Sequence, residues 1–265
     1  MSFPVKNVPS LYIENEGEKL SVKVALSLTK AKDTVVVRLT GGCGFMSDEH
    51  AQGMFNLFGN VFRGFRGAVL FGGTQMRSRS DPTKVVLGIT EIAPIVRELC
   101  PDSYTLGVVA RQSDLQLTQH GLVVADNPED PYFTIAHPNQ DTCLIVQASV
   151  DQKSCWDTEY ETCAEIVQHL VTYGGGWRSL LLTYNGGGIT EKEILLWAKR
   201  AWPVLLIRGS GRTTDRYAND KEFLLAHPHV HVAELTEMSL RHQLEKLSIV
   251  PKTESRFRLV ERTGT

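Results

Sequence analysis

Val35-Val36-Val37-Arg38-Leu39-Thr40-Gly41-Gly42 is a β-branched, largely apolar run that stops at a glycine pair, and its reading decides the fold. Three later stretches follow the same plan: Gly67-Ala68-Val69-Leu70-Phe71-Gly72-Gly73-Thr74, Leu180-Leu181-Leu182-Thr183-Tyr184-Asn185-Gly186-Gly187-Gly188 and Val204-Leu205-Leu206-Ile207-Arg208-Gly209-Ser210-Gly211-Arg212. A short run of this kind reads as a strand buried on both faces, as in a parallel sheet. Glycines at its exit let the backbone turn sharply and approach a ligand closely. Each exit leads into a segment of helical pattern, so the expected fold class is α/β: a Rossmann-like, mainly parallel sheet with helices on both faces. The glycine exits then share the carboxyl edge of the sheet, where ligands bind and helix N-termini favour phosphate groups.

Working outward, the first exit leads to a helix starting near Ser47-Asp48-Glu49, with Met54, Phe55, Leu57, Phe58, Val61 and Phe62 at helical spacing. After the second exit, Asp81-Pro82 reads as the cap and first-turn proline of a helix running to about Leu99 and kinked at Pro94. Tyr104–Ala110 and Thr142–Ala148 read as further strands. Arg111–Asn139 between them reads as mostly loop, with a small strand at Leu122–Ala125, long enough to lie over the strand ends as a lid. Further helices are expected over Trp156–Val171, from Thr190, just past Gly211 and over Met238–Leu247, with a last strand at His229–Leu235. The expected organisation is an N-terminal extension over residues 1–30 that forms a hairpin or edge strand, one domain over 31–248, and a charged tail over 249–265 that frays.

The bulk properties set limits on function. With 265 residues and 42% hydrophobic content, the chain can bury one continuous core. A net charge of -2 gives no basic field for a polyanion, so nucleic acid is not expected as a partner. The five cysteines, an odd number with no CxxC pair, argue against a disulfide framework and a structural zinc site, and so for a cytoplasmic setting. No stretch approaches the length of a membrane span.

Gly209-Ser210-Gly211-Arg212-Thr213 is the sharpest candidate site. Glycines free amide groups to face an anion, the following helix start adds a positive end, and Arg212 can grip phosphate oxygens in bidentate fashion; the competing reading is a tight turn with a solvated arginine. Gly186-Gly187-Gly188 offers a similar cradle. Of the acids that follow it, Glu191 or Glu193 is the candidate for sugar contact or glycosidic cleavage, although Thr190-x-x-Glu193 also has capping-box spacing. Gly41, Gly42, Gly72, Gly73 and Thr74 read as ligand-facing backbone or as close helix packing. Cys43 at a helix start is either a nucleophile or a packed thiol, the latter preferred. His229 and His231 fall on one face of a strand but lack further ligands, so no metal site is expected. Trp156 is placed either to pack or to cover a base or ribose.

The ordered set Thr40-Gly41-Gly42, Phe71-Gly72-Gly73-Thr74, Tyr184-Asn185-Gly186-Gly187-Gly188 and Gly209-Ser210-Gly211-Arg212-Thr213-Thr214-Asp215 resembles the SLOG superfamily, and within it the LSDAT branch known from the N-terminal cytosolic region of melastatin-type TRP channels and from prokaryotic homologues. The resemblance implies binding and sensing of a nucleotide-derived ligand such as ADP-ribose, with Arg212 on phosphate and Gly72, Gly73, Gly186, Gly187, Gly209 and Gly211 lining the pocket. It implies no other cofactor, and an output through an effector or membrane-protein partner or a homo-oligomer. The channel pattern carries an arginine on the helix after the fourth strand, and Trp156-Asp157-Thr158-Glu159-Tyr160-Glu161-Thr162-Cys163 has none. A second branch, the LOG-like phosphoribohydrolases, offers the alternative of nucleotide N-glycoside cleavage. Thr190 and Glu193 fit its motif, whereas Asn185 and Ile189 depart from it.

Overall fold

Val35–Gly41 forms a strand whose first six residues are all buried, the environment that its apolar run demands. In the computed structural model, which describes residues 10–14, 30–42, 47–146 and 157–252, thirteen strands are present. They are β1 (Ser10–Glu14), β2 (Val35–Gly41), β3 (Ala68–Phe71), β4 (Thr74–Ser78), β5 (Val85–Val86), β6 (Tyr104–Ala110), β7 (Gln116–Thr118), β8 (Gly121–Ala125), β9 (Tyr132–Ala136), β10 (Thr142–Val146), β11 (Arg178–Tyr184), β12 (Val204–Arg208) and β13 (Val230–Glu234). The helices are α1 (Asp48–Val61), α2 (Ile92–Leu99), α3 (Asp157–Tyr173), α4 (Gly188–Lys199), α5 (Arg212–Ala218), α6 (Lys221–Ala226) and α7 (Glu237–Lys246).

Eight strands form a parallel sheet in the order β1-β10-β6-β3-β2-β11-β12-β13. From β2 the chain winds outward through β3, β6 and β10, and then returns to lay β11, β12 and β13 on the other side. The order reverses between β2 and β11, and such a switch point is where an open α/β sheet leaves a crevice at its carboxyl edge. Helices cover both faces. Val35, Val37 and Leu39 point to the face covered by α1, α2 and α7, through Met54, Phe58, Ile92, Val96, Leu240 and Leu244. Val36, one residue out of phase, points to the other face, covered by α3 and α4 through Cys163, Ile166, Val167, Ile194 and Trp197. Period-two alternation places Arg38 on that second face, inside the core.

Part of the expected pattern is corrected. Most of the expected loop between Arg111 and Asn139 is folded: β7, β8 and β9 join β4 and β5 in an antiparallel sheet of order β5-β4-β9-β8-β7. A small apolar cluster of Val109, Val124, Cys143 and Ile145 seats it against the large sheet. The expected helix from Asp81 does not form. The Asp81 carboxylate accepts from the backbone N and the hydroxyl of Thr83, closing a turn that leads into β5. The helix starts at Ile92, which leaves Pro94 in its first turn, where no helical hydrogen bond is lost and no kink is required. Ser10–Glu14 is an edge strand beside β10. At the other end, Ile249 and Val250 are buried in the core, and the Pro251 carbonyl accepts from Arg241 Nη2 at 2.5 Å.

Candidate functional site

All four glycine exits reach one cavity of about 410 Å3 at the carboxyl edge, beside the β2/β11 switch point. The exit of β2 contributes Thr40, Gly41 and Gly42; that of β3 contributes Gly72 and Thr74; that of β11 contributes Gly187, Gly188, Ile189 and Thr190; and that of β12 contributes Arg212 alone. Met76, Val86, Ile89 and Thr134 add a largely apolar wall. The volume lies within the roughly 300–1,000 Å3 of small-molecule sites.

The β11 exit is bent by two consecutive left-handed residues, Asn185 (φ 59°) and Gly186 (φ 89°), so that α4 begins immediately at the cavity. Gly187, its N-cap, offers no side-chain oxygen, which leaves amide groups of the first turn facing the space that Gly188, Ile189 and Thr190 line. Arg212 opens α5 at φ 48°, a conformation uncommon outside glycine, and its guanidinium lies beside Gly187, where an added Cβ would stand 3.2 Å from Nη2. Here a helix start and an arginine face the same space.

The other expected site residues serve as framework around that point. Gly186 packs on Thr190, and Gly73 packs on the backbone of Gly107. Gly209 and Gly211, both at positive φ, shape the β12 exit without lining the cavity. Ser210 is fully buried: its hydroxyl donates to the Ile207 carbonyl at 2.7 Å and accepts from Asn185 N at 2.9 Å. Thr213 Oγ1 donates to the Gly187 carbonyl at 3.4 Å, and Thr214 Oγ1 to that of Asn185 at 2.7 Å. These bonds tie the β11 and β12 exits together and thereby fix Arg212 relative to the start of α4.

The floor is a charge cluster of which Glu193 was among the expected candidates, whereas Arg38 and Glu159 were not. Arg38 from β2, 2% exposed, donates through Nε to Glu193 Oε1 at 2.8 Å and through Nη2 to Glu193 Oε2 at 3.2 Å and Glu159 Oε1 at 2.6 Å. Burial opposes the Arg38 charge, and the surrounding acidic groups Cys163, Glu159 and Glu193 outweigh it, holding its pKa well above the ordinary value. For Glu159 burial dominates: its carboxyl is pushed up, with Arg38 lowering it and Glu193 raising it further. Burial likewise pushes the Cys163 thiol well up, so this cysteine is a packed neutral group. Arg38 and Glu159 line the cavity, whereas Glu193 lies behind them. The capping-box reading of Thr190 and Glu193 is overturned, because α4 starts two residues before Thr190 and carries Glu193 round to the buried face. Glu191 faces α5, accepting from Tyr217 Oη at 3.0 Å and pairing with Arg216 at 2.6 Å.

A second network supports the apolar wall. Gln75 Nε2 donates to Glu91 at 3.2 and 3.3 Å, Arg77 Nη2 donates to Gln75 Oε1 at 2.5 Å, and His137 Nε2 lies 3.1 Å from Glu91 Oε2. His137 Nδ1 accepts from Asn139 N at 3.1 Å, so the ring proton sits on Nε2 and points at Glu91. With both ring nitrogens engaged, His137 positions the small sheet and has no free basic nitrogen.

Trp156 and Cys43 lie outside the described residues. His229 Nε2 lies 3.0 Å from the Ala198 carbonyl, and among the described residues no group of three or more His, Cys, Asp or Glu side chains is placed to hold a metal ion. Cys100, Cys143 and Cys163 are free and buried. No described helix is long and apolar enough to cross a membrane. The signals that could have found the missed floor residues are a charged side chain in an apolar buried run, Arg38, and an acid on the helix where the resemblance expects an arginine, Glu159.

Comparison with solved structures gives the molybdenum cofactor carrier protein of Chlamydomonas reinhardtii, at 15% identity and a TM-score of 0.45, covering 80% of this chain and 97% of that one. The molybdenum cofactor binding protein of the phototrophic bacterium Rippkaea orientalis is similar at 12% identity and a TM-score of 0.46, covering 82% and 99%. No curated protein matches. The family described as SLOG in TRPM, prokaryote, matches residues 106–249, a span that runs from β6 through the β11 and β12 exits to the end of the core. The chain, more than half of it matched and its glycine exits gathered at one cavity, belongs to that prokaryotic branch of the SLOG proteins.

Proposed function

We propose that the cavity binds a soluble nucleotide-derived ligand, with ADP-ribose as the reference compound, and that occupancy is passed to a homo-oligomeric or membrane-protein partner in the cytoplasm. The observation that carries this reading is the convergence of the α4 N-terminus and Arg212 on one end of a cavity that also has a largely apolar wall of Met76, Val86 and Ile89. The phosphates sit at the helix start and the guanidinium, and the base lies against Met76, Val86 and Ile89. Binding stabilises whichever arrangement closes these walls on the ligand, and that preference is the signal. Calorimetry with ADP-ribose and AMP tests the reading: Arg212→Ala weakens binding by about 10–100-fold, the worth of charge-assisted hydrogen bonds. Unchanged affinity in that variant overturns the assignment of the phosphate end.

Hydrolysis of an N-glycosidic bond is the second reading, and one observation favours it. Glu159 lines the cavity with its carboxyl pushed up by burial, as a general acid requires. Glu193 and Glu191, the acids expected for this role, are held by Arg38 and by Arg216 and Tyr217. Free base and ribose phosphate released from AMP, and lost in Glu159→Gln, would replace sensing by catalysis.

A further inference from the structure

The floor of the cavity holds one donor and one acceptor that the fold leaves over. Arg38 spends Nε and Nη2 on the two carboxylates, while its Nη1, also buried, has no hydrogen-bond partner among the described residues. A buried N–H of this kind is rare in folded proteins and is met most simply by an acceptor from outside the chain. Glu159 mirrors it. Oε1 accepts from Arg38 Nη2 and faces Cys163 Sγ at 3.9 Å, whereas Oε2 carries no hydrogen bond among the described residues. Both side chains line the cavity, and Gly72 lines it beside Glu159.

A free acceptor beside a free donor matches two adjacent hydroxyl groups, one donating to the carboxylate and its neighbour accepting from the guanidinium. An anion does not match, because two carboxylates already surround the single guanidinium. The anion-binding features lie elsewhere on the rim, at the start of α4 and Arg212. We infer that the floor is a ribose subsite, in which Glu159 Oε2 and Arg38 Nη1 hold the vicinal 2′,3′-diol of a ribonucleotide. This rests on the nucleotide reading of the cavity and adds a specificity to it. The site prefers ribose to 2′-deoxyribose, and it disfavours a 2′-phosphate, because the floor's single guanidinium is already taken up by two carboxyl groups.

Calorimetric titration of the whole chain with AMP, 2′-deoxy-AMP and adenosine 2′,5′-bisphosphate decides the matter. In the wild type the deoxynucleotide binds about 10–100-fold more weakly than AMP, because it leaves a buried polar group unanswered, and the bisphosphate is weaker than AMP. In Glu159→Gln the AMP preference over 2′-deoxy-AMP shrinks, and the bisphosphate gains affinity relative to AMP. Equal binding of AMP and 2′-deoxy-AMP to the wild type overturns the ribose subsite and leaves the nucleotide reading standing. No binding of AMP or of ADP-ribose overturns both. If Glu159→Gln does not fold, the three wild-type titrations still decide.

Discussion

Arg38 is the residue on which the core and the site both depend. It stands in the middle of a buried strand, and its charge is sustained there by carboxylates that arrive from α3 and α4, 121 and 155 residues away. Removing one partner of such a cluster leaves the others as uncompensated buried charge, at a cost of about 3–5 kcal/mol. Arg38→Met should therefore lower the free energy of unfolding in urea by that amount, and a loss under about 1 kcal/mol would show that the cluster is neutral or solvated. Glu159 gives a pH signature of its own. Its folded pKa is raised above the ordinary glutamate value of 4.5, chiefly by burial, with Arg38, Glu193 and Cys163 as its charged and titratable neighbours. Between 4.5 and the raised value the folded chain holds a proton that the unfolded chain has lost, so the contribution of Glu159 to stability declines as pH rises through that window. The difference in stability between wild type and Glu159→Gln should slope across this range and flatten above it, and a flat difference throughout would remove the shift. Burial of Arg38 was legible, since period-two alternation in an apolar run turns it inward. Its partners were not, because nothing local links residues so far apart in sequence.

At the scale of elements, the β11 exit and α4 form the part of the site with the least freedom. Gly186 sits at φ 89°, and a Cβ there would come within 2.4 Å of Thr190 Oγ1. Gly186→Ala should cost about 1–3 kcal/mol from strain in the left-handed region and steric conflict, and should weaken ligand binding by displacing the start of α4. Gly188 is the control: a Cβ there meets nothing within 4 Å, so Gly188→Ala should leave stability nearly unchanged. Equal thermal melting of the two variants would count against this account of the turn. The elements whose outlines the sequence displayed are those dominated by burial, such as β2, β11 and β12, where an apolar run of five to seven residues admits few other environments. Those it concealed are ruled by local competition. Asp81 and Pro82 carry the signature of a helix start, yet the Asp81 side chain finds Thr83 first. Thr190 and Glu193 have capping spacing, yet the glycine turn lets the helix begin earlier and turns the acid inward. In the small sheet only β8 was expected, as Leu122–Ala125; the other strands are two to five residues long and partly exposed, too short and too polar for alternation to reveal them.

At the scale of the whole molecule, the cavity is a seam between two sheets. The large sheet supplies the strand exits and the charged floor, while β4, β5 and β9 of the small sheet supply Thr74, Met76, Val86 and Thr134 as the facing wall. The wall is held by few polar links: His137 N donates to the Gly73 carbonyl at 2.7 Å, and Glu91 gathers Gln75 and His137. Glu91 precedes α2, which packs on the large sheet, so its carboxylate joins the two layers at the edge of the site. Glu91→Ala removes the acceptor for both partners and leaves the buried ring N–H of His137 unsatisfied, an effect of about 1–3 kcal/mol confined to the link. Amides of β4 and β9 should then exchange with solvent about 10-fold faster or more, while those of β2, β11 and β12 keep their protection, because the main core is untouched. Ligand affinity should fall with it, since a wall that opens more often is available less of the time. Uniform acceleration across both sheets would mean that the two layers unfold as one unit, and the seam would then be rigid at every scale that binding samples.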